Sequence, residues 1–123
     1  MRDGVVDTRV VNGLTLITLA GELDLSVAPA LHRALIQAPA ASLPDLAIDL
    51  RQVEFMDCSA IHELMQAHRT VTAAGGCLRL IGPQPGPAKL IRLCEIDGVL
   101  CVHDAMTAAT AACTRHIRST PIP

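Results

Sequence analysis

A short stretch in the middle of the chain joins an apolar strand pattern directly to a helical one, and this junction constrains the fold more than any other feature. Residues 53–56 continue an apolar run that is typical of a buried strand, whereas the apolar residues after Ser59 recur every three or four positions, as in a helix. The loop between them must face solvent. A helix N-terminus offers free N–H groups and a partial positive charge, so an anion is favoured there. We therefore expect Ser59, with Asp57 beside it, to be either a helix cap or a residue that can carry a phosphate.

The rest of the chain repeats this alternation of strand and helix after an opening hairpin. Asn12-Gly13 predicts a two-residue hairpin turn, because both residue types accept positive φ. Further strands are predicted at residues 45–50, 77–81 and 99–103. The residues predicted to open helices are Val27 (capped by Ser26), Ser59, Pro87 and Asp104. The segment 39–44, with a proline at each end, is expected to break the first helix, and Gly75-Gly76 to stop the second.

These elements predict one α/β domain with the order ββαβαβαβα. Each later strand is followed by a helix of the length that a right-handed crossover needs, so those strands should be parallel. We expect a small mixed β-sheet, an N-terminal hairpin followed by parallel strands, with helices packed mainly on one face. Leu90, Ile91 and Cys94 should face inward from the third helix. The domain is expected to cover residues 1–113 and to be followed by a flexible C-terminal tail, residues 114–123.

Composition excludes several classes of function. The chain has 123 residues, a net charge of −2 and a single aromatic residue, so it offers neither the basic surface nor the stacking platform of a nucleic-acid-binding protein. Its five cysteines form no CxxC pair, which suits a reducing compartment. The N-terminus lacks the apolar run of a signal peptide, and residues 105–113 are too few to span a bilayer. We expect a cytoplasmic protein that binds neither membrane nor nucleic acid.

The sequence carries no recognisable catalytic motif, so we expect neither an enzyme nor a cofactor. It has no GxSxG elbow and no glycine-rich phosphate loop, and His62 and His68 are spaced for different helix faces rather than for one zinc site. Two chemical alternatives stay open. The carboxylates of Asp24, Asp49 and Asp57 could converge on Mg²⁺, and Cys58, close to a helix start, could be a reactive thiol.

Spacing alone favours Ser59 as a helix cap over Ser59 as a modification site. The residue three positions later is His62, so no capping box is formed and the cap would be modest. The neighbouring residues favour the second interpretation. Met56, Cys58 and Ala60 are small or apolar, and they leave the hydroxyl accessible to the active site of another protein.

Three segments of the chain resemble the STAS domain of anti-sigma factor antagonists. They are Gly21-Glu22-Leu23-Asp24, then Phe55-Met56-Asp57-Cys58-Ser59-Ala60-Ile61, and finally Gly75-Gly76-Cys77-Leu78-Arg79-Leu80. Together with the order of elements, the resemblance covers roughly residues 5 to 112. It implies that Ser59 is the residue phosphorylated by a partner kinase, and that Asp24 and Asp57 are the loop acids beside it. Cys58 and Ala60 depart from the family pattern, which has serine and glycine there, and His62 adds bulk in the first helical turn.

The resemblance also implies a function and partners. The unphosphorylated protein would bind an anti-sigma factor that is also a serine protein kinase, and so free a sigma factor. Phosphorylation of Ser59 would switch it off, with a serine phosphatase as a second partner, and the protein would be a monomer or a weak dimer. The partner-binding residues would be Asp24, Asp57, Cys58, Ser59, Ala60, Ile61 and His62. The alternative is a STAS interaction subunit of another cytoplasmic signalling or lipid-transport complex, in which Ser59 is never phosphorylated.

Overall fold

The computed structural model describes residues 4–11, 13–41, 45–94 and 101–103. The observed elements, in chain order, are β1 Gly4–Val11, β2 Leu14–Leu23, α1 Ala28–Ala41, β3 Leu46–Met56, α2 Cys58–Ala73, β4 Leu78–Ile81, α3 Pro85–Leu93 and β5 Cys101–His103. The predicted alternation of strands and helices is confirmed as far as β5. The predicted last helix from Asp104 and the predicted tail lie outside the described residues.

The five strands form one mixed sheet in the order β1-β2-β3-β4-β5. β1 and β2 are antiparallel, and the pairs β2–β3, β3–β4 and β4–β5 are parallel. The hairpin turn contains Gly13 at a φ of +83°, a conformation that glycine adopts without a steric penalty. The predicted hairpin followed by parallel strands is therefore confirmed.

The main hydrophobic core lies between the described helices and one face of the sheet. All three described helices contribute buried side chains to it, as β2, β3 and β4 do. Representative members are Ile17, Leu19, Leu31, Leu35, Ile48, Leu50, Leu64, Val71, Leu80 and Ile91. A smaller cluster on the opposite face contains Leu14, Leu16, Ala47 and Ile81. None of the helices in the described ranges is long and apolar enough to cross a bilayer.

Strand β3 joins two segments that the sequence predicted separately, and it carries the chain to the Ser59 loop. The predicted strand covers residues 45–50, and the apolar run 53–56 was predicted as strand only at its junction with the next helix; β3 spans both and ends at Met56. Its pairing with β2 shifts register twice in this region, and the side chains of residues 51, 52, 54 and 55 are exposed. The irregular pairing breaks the alternation of buried and exposed residues, so periodicity alone underestimates the strand.

Three predictions about helix ends are wrong in detail. α1 passes through Pro39 and ends at Ala41, because a proline in the last turn removes only one backbone hydrogen bond. α1 also begins one residue late, at Ala28, and Ser26 bonds back to Asp24 instead of capping the helix. α3 begins at Pro85, and Cys94, just beyond its end, is exposed rather than inward-facing.

The end of α2 and the core face of α3 agree with the sequence. α2 ends with Ala74 as its C-cap, followed by Gly75 at a φ of +86°, and the N–H of Gly76 donates to the carbonyl of Val71 at 2.8 Å. A residue with positive φ just after the last turn lets the following N–H groups bond to the last free carbonyls of the helix, and glycine adopts this conformation most easily. On α3, Ile91 is buried as predicted.

We predict that His68 makes the stability of the fold depend on pH in mildly acidic solution. Burial, and to a smaller extent the charge of Arg69, lowers the pKa of His68 below its ordinary value of 6.5. The unfolded chain therefore binds the proton more tightly. The free energy of unfolding should be fully retained above pH 6.5 and should decrease as the pH falls through the lower pKa of the folded state. His68→Gln should reduce this decrease between pH 7 and about pH 5 in urea titrations.

The control for this measurement is His62→Gln, a substitution at an exposed position of the same helix. It separates the effect of burial from the loss of an imidazole. An unchanged pH dependence in His68→Gln would contradict the prediction.

Candidate functional site

The candidate site lies where the carboxyl ends of the parallel strands β2 and β3 meet. The chain leaves β2 at Leu23 and enters the turn 24–27, and it leaves β3 at Met56 and enters α2 two residues later. The N–H of Asp57 donates to the carbonyl of Leu23 at 3.1 Å, so the two loops are joined by a backbone hydrogen bond. In open α/β sheets, ligands bind beside the loops at the carboxyl ends of the parallel strands.

Asp57 is the N-cap of α2. Its backbone is extended, with φ −117° and ψ −172°, and its carboxylate accepts the N–H groups of Ser59 at 2.9 Å and Ala60 at 3.4 Å. These are among the N–H groups that have no partner within a helix. Ser59 is the second residue of the helix and caps nothing. The interpretation of Ser59 as a helix cap is therefore wrong, because the aspartate two residues earlier occupies that position.

The hydroxyl of Ser59 is held by the same carboxylate. Ser59 Oγ donates to Asp57 Oδ1 at 2.5 Å, and the side chain of Ser59 is half-buried. Hydrogen bonds to an ionised acceptor are shorter and stronger than those between neutral groups. The proton of the hydroxyl thus points at Asp57, and its oxygen is fixed in direction at the start of α2.

The electrostatics of the loop keep Asp57 ionised. The hydrogen bond from the Ser59 hydroxyl lowers the pKa of Asp57 most, burial opposes this, and the N–H groups of Ser59, Ala60 and Leu25 lower it further. The net effect places the pKa of Asp57 below its ordinary value of 3.8. At neutral pH the site therefore contains a carboxylate that accepts hydrogen bonds from both loops.

The neighbouring loop contains a second copy of this geometry. Asp24 Oδ1 accepts the N–H of Ser26 at 3.0 Å and its hydroxyl at 2.5 Å. This repeated geometry has a signal in the sequence, since Asp24-Leu25-Ser26 and Asp57-Cys58-Ser59 share the pattern Asp-x-Ser. The signal was missed because Ser26 was interpreted as the cap of α1. Asp24 therefore orients its own loop. Leu25 lies between Asp24 and Ser26, and its N–H donates to the carboxylate of Asp57.

The predicted partner-binding residues divide into two groups. Cys58 and His62 are exposed beside Ser59, on the first turn of α2. The side chains of Ala60 and Ile61 are buried in the main core, with 1% and 7% of their surface exposed. We therefore assign these two side chains to the core and omit them from the partner surface, because the same turn of helix that presents Ser59 packs its other face against the sheet.

A hydrogen bond between helices lies one turn beyond Ser59. His32 Nδ1 of α1 lies 2.7 Å from Glu63 Oε1 of α2. Residues four apart are neighbours on a helix surface, so Glu63 shares a face with Ser59. A charged group attached to Ser59 would therefore lie beside two carboxylates, those of Asp57 and Glu63.

The acidic residues do not form a metal site in the part of the chain that the structure describes. Asp49 lies earlier on β3, where its side chain accepts bonds from Arg51 Nε at 2.9 Å and Arg51 Nη2 at 2.8 Å. Asp24 and Asp57 each bond to a serine of their own loop. Within the described ranges no group of three or more His, Cys, Asp or Glu residues could hold a metal ion. The alternative of three convergent carboxylates is therefore wrong.

Comparison with known proteins identifies the family of this chain. Residues 5–111 match the family model of the STAS domain, and the chain belongs to the STAS domain family. None of the curated proteins matches the sequence significantly.

Solved structures share the fold at low sequence identity. An anti-sigma factor antagonist from Mycobacterium paratuberculosis is 24% identical, with a TM-score of 0.82 over 89% of this chain and 92% of that one. The unphosphorylated anti-sigma factor antagonist SpoIIAA is 21% identical, with a TM-score of 0.69 over 89% of this chain and 96% of that one. The phosphorylated form of this Bacillus protein is 18% identical, with a TM-score of 0.68 over 86% of this chain and 96% of that one. A sulfate transporter family protein from Wolinella succinogenes is 17% identical, with a TM-score of 0.73 over 87% and 89%.

We predict that removing the Asp57 cap destabilises the domain more than removing only its charge does. Asp57→Ala leaves N–H groups of α2 without their acceptor and should lower the free energy of unfolding by about 0.5–2 kcal/mol. Asp57→Asn keeps a good N-cap but loses the charge, so it should be less destabilised than Asp57→Ala in urea unfolding at pH 7. Asp24→Ala is the matched control, because it removes the same type of contact from the turn before α1 without removing a helix cap.

The same carboxylate adds a pH dependence. Because the pKa of Asp57 is lower in the folded state, its contribution should be complete above pH 3.8 and should be lost as the pH falls through the folded-state value. An Asp57→Ala protein as stable as wild type at pH 7 would contradict the assignment of Asp57 as the cap.

Proposed function

We propose that this chain is an anti-sigma factor antagonist that is switched by phosphorylation of Ser59. In the unphosphorylated state it binds an anti-sigma factor that is also a serine protein kinase, and the sigma factor is released. The observation that supports this most is the geometry of Ser59, whose hydroxyl is held by Asp57 at the start of α2 on a loop edge of the sheet. The family membership agrees with this proposal.

The position of Ser59 suits a residue that must carry a phosphate without unfolding the protein. A phosphoserine brings about −1.5 to −2 charges at neutral pH. At the second residue of a helix this charge lies at the positive end of the helix dipole, while Asp57 still accepts the N–H groups of the first turn, so α2 itself stays intact. The modification therefore acts on the surface presented to the partner.

Phosphorylation would change that surface through the contact with Asp57. Transfer of a phosphoryl group replaces the hydroxyl proton, so the 2.5 Å hydrogen bond between Ser59 Oγ and Asp57 Oδ1 loses its donor. An ester oxygen and a phosphate dianion would then face the carboxylates of Asp57 and Glu63. Repulsion and the added bulk would push the phosphate outward, toward the docked partner, and the complex would dissociate.

Asp57 acts in this scheme as a positioning residue and not as the base of the transfer. Its pKa lies below the ordinary value, which makes its carboxylate a weak proton acceptor at neutral pH. Its bond to the hydroxyl instead fixes the direction in which the oxygen is presented. The kinase would supply the nucleotide and the group that takes the proton, and a serine phosphatase would restore the hydroxyl.

The departures from the family pattern are compatible with this function. Ala60 replaces a glycine, but it is the third residue of α2, where helical backbone suits alanine better than glycine. Cys58 replaces a serine that precedes the acceptor, and its thiol is exposed without contributing to the Asp57 contact. Neither change removes the acceptor or its orientation.

A second candidate function is an interaction module of another cytoplasmic assembly, in which Ser59 is read by contact alone. The similarity to a protein of the sulfate transporter family supports this candidate, because the same fold then serves a different system. Cys58 and His62, beside Ser59, would in that case give the surface its specificity. The two candidates differ in whether Ser59 acquires a phosphate.

We predict that Ser59→Glu folds normally but loses its partner. With purified serine-kinase anti-sigma factors of the source genome as probes, Ser59→Ala should bind as wild type does, and Ser59→Glu should bind at least tenfold more weakly. Thr72→Glu, which places the same charge at an exposed position near the other end of α2, is the control and should bind normally. Equal binding of wild type and Ser59→Glu would contradict the switch.

We also predict that one of these kinases phosphorylates the protein at a single residue. Intact-mass measurement after incubation with Mg²⁺ and ATP should show one added phosphate on wild type and none on Ser59→Ala. Stable binding of the kinase with no added phosphate on wild type would favour the second candidate function.

A further inference from the structure

Two large apolar side chains are exposed at the Ser59 edge of the sheet, and the proposed function does not yet use them. Leu25 is 73% exposed and Phe55 is 50% exposed. Leu25 lies in the turn after β2, and its N–H donates to the Asp57 carboxylate. Phe55 precedes Asp57 by two residues and is paired in register with Glu22. The chain's single aromatic residue is therefore half exposed, and it lies at the end of the strand that leads to the proposed acceptor.

The other exposed large apolar residues of the described chain lie elsewhere. Val10 is paired with Thr15, at the start of β2 and so at the opposite end of the sheet. Leu93 is the last residue of α3, and Val102 lies on β5, two strands away from β3. Leu25 and Phe55 are thus a local pair at one loop edge. Aromatic and large aliphatic residues in such positions are typical anchors of a protein interface.

The two chain segments that form the same edge contain acidic residues but no lysine or arginine. Segments 20–27 and 52–63 contain no Lys or Arg, and their carboxylates belong to Glu22, Asp24, Glu54, Asp57 and Glu63. The Glu63 carboxylate is bonded to His32 and only 13% exposed, so the charge of this edge comes mainly from the other four. The adjacent Arg51 is held by the buried carboxylate of Asp49, whose side chain is 2% exposed. The surface around Ser59 is therefore negative with two apolar side chains in it.

This pattern fits a particular kind of partner surface. A protein that transfers a phosphoryl group must surround the nucleotide phosphates with cations, both metal ions and basic side chains. An acidic edge complements such surroundings, and an apolar pair beside the acceptor needs an apolar recess in the partner. Opposite charges accelerate association, whereas buried apolar anchors slow dissociation.

We propose that Leu25 and Phe55 are the anchor residues of the docking surface, and that this surface selects a kinase whose nucleotide site has a basic rim and an apolar recess beside it. The inference rests on the proposed function, because it names the chemistry of the same partner. Ser59 lies in the first turn of α2, whose N-cap is the carboxylate of Asp57. In the complex, Ser59 faces the nucleotide site of the kinase, and the two anchors bind the recess beside that site. The anchors hold the unphosphorylated protein in place, whereas a phosphate on Ser59 collides with the nucleotide site.

The test uses the kinase that binds wild-type protein, with Leu25→Ala and Phe55→Ala as variants. Each should raise the dissociation constant at least tenfold, mainly through faster dissociation, and keep the urea midpoint of wild type. Leu93→Ala and Val10→Ala are matched controls, at 69% and 65% exposure, and each should change the dissociation constant less than twofold. If Phe55→Ala is poorly folded, Leu25→Ala decides alone, since Leu25 is the more exposed residue.

The basic rim is tested by ionic strength. The association rate constant of the wild-type protein should fall several-fold between low salt and about 0.5 M salt. Salt screens the attraction between the acidic edge and the basic rim of the kinase. A salt-independent rate would overturn this part of the inference.

The outcomes separate the inference from the function on which it rests. If Ser59→Glu loses the kinase but both anchor variants bind as wild type does, the anchors are wrong and the proposed function stands. If no serine-kinase anti-sigma factor binds wild type, the proposed function fails and the inference falls with it.

Discussion

The carboxylate of Asp57 is the interaction on which the site depends. It accepts the N–H groups of Ser59 and Ala60 at the start of α2, the hydroxyl of Ser59, and the N–H of Leu25 from the neighbouring loop. One side chain therefore caps a helix, orients a hydroxyl and ties two loops together. Because all these donors favour the ionised form, the carboxylate stays charged at any pH at which the domain is expected to work.

The sheet places this carboxylate at the edge where the carboxyl ends of two strands meet. Parallel pairing of β2 and β3 brings the ends of both strands to one edge, and the backbone bond from Asp57 to Leu23 joins them there. The helices following these strands pack on one face of the sheet through residues such as Leu31 and Leu64. The sheet and the helices packed on it thus support the two Asp-x-Ser turns, which lie at the edge of the sheet.

Much of the architecture could be predicted from the sequence, because it depends on periodicity and on turn chemistry. The hairpin at Gly13, the parallel strands and the glycine stop of α2 each have a local signal. The position of the Ser59 loop at the end of the sheet also followed, since a strand pattern that changes directly into a helix pattern must end at the edge of a sheet. The resemblance then predicted Ser59 as the phosphorylated residue, which stays a prediction, whereas the predicted family is confirmed by the family match.

The details that the sequence missed depend on side-chain direction. Aspartate and serine are both good N-caps, and Asp57 and Ser59 are two residues apart, so the pattern cannot tell which one accepts the helix N–H groups. Ala60 and Ile61 belong to the predicted loop motif, yet the helix turns their side chains into the core. Phe55 was read as part of a buried strand, because the register shifts between β2 and β3 have no signature in the sequence.

The most direct test of the account is the dissociation constant of one kinase for two forms of this protein, unmodified and phosphorylated on Ser59. The phosphorylated form is prepared with the kinase itself and verified by intact mass. The account predicts that the phosphorylated protein keeps its far-UV circular dichroism spectrum and binds at least tenfold more weakly. Equal dissociation constants for the two forms would contradict it, because the hydroxyl held by Asp57 would then have no role in switching the complex.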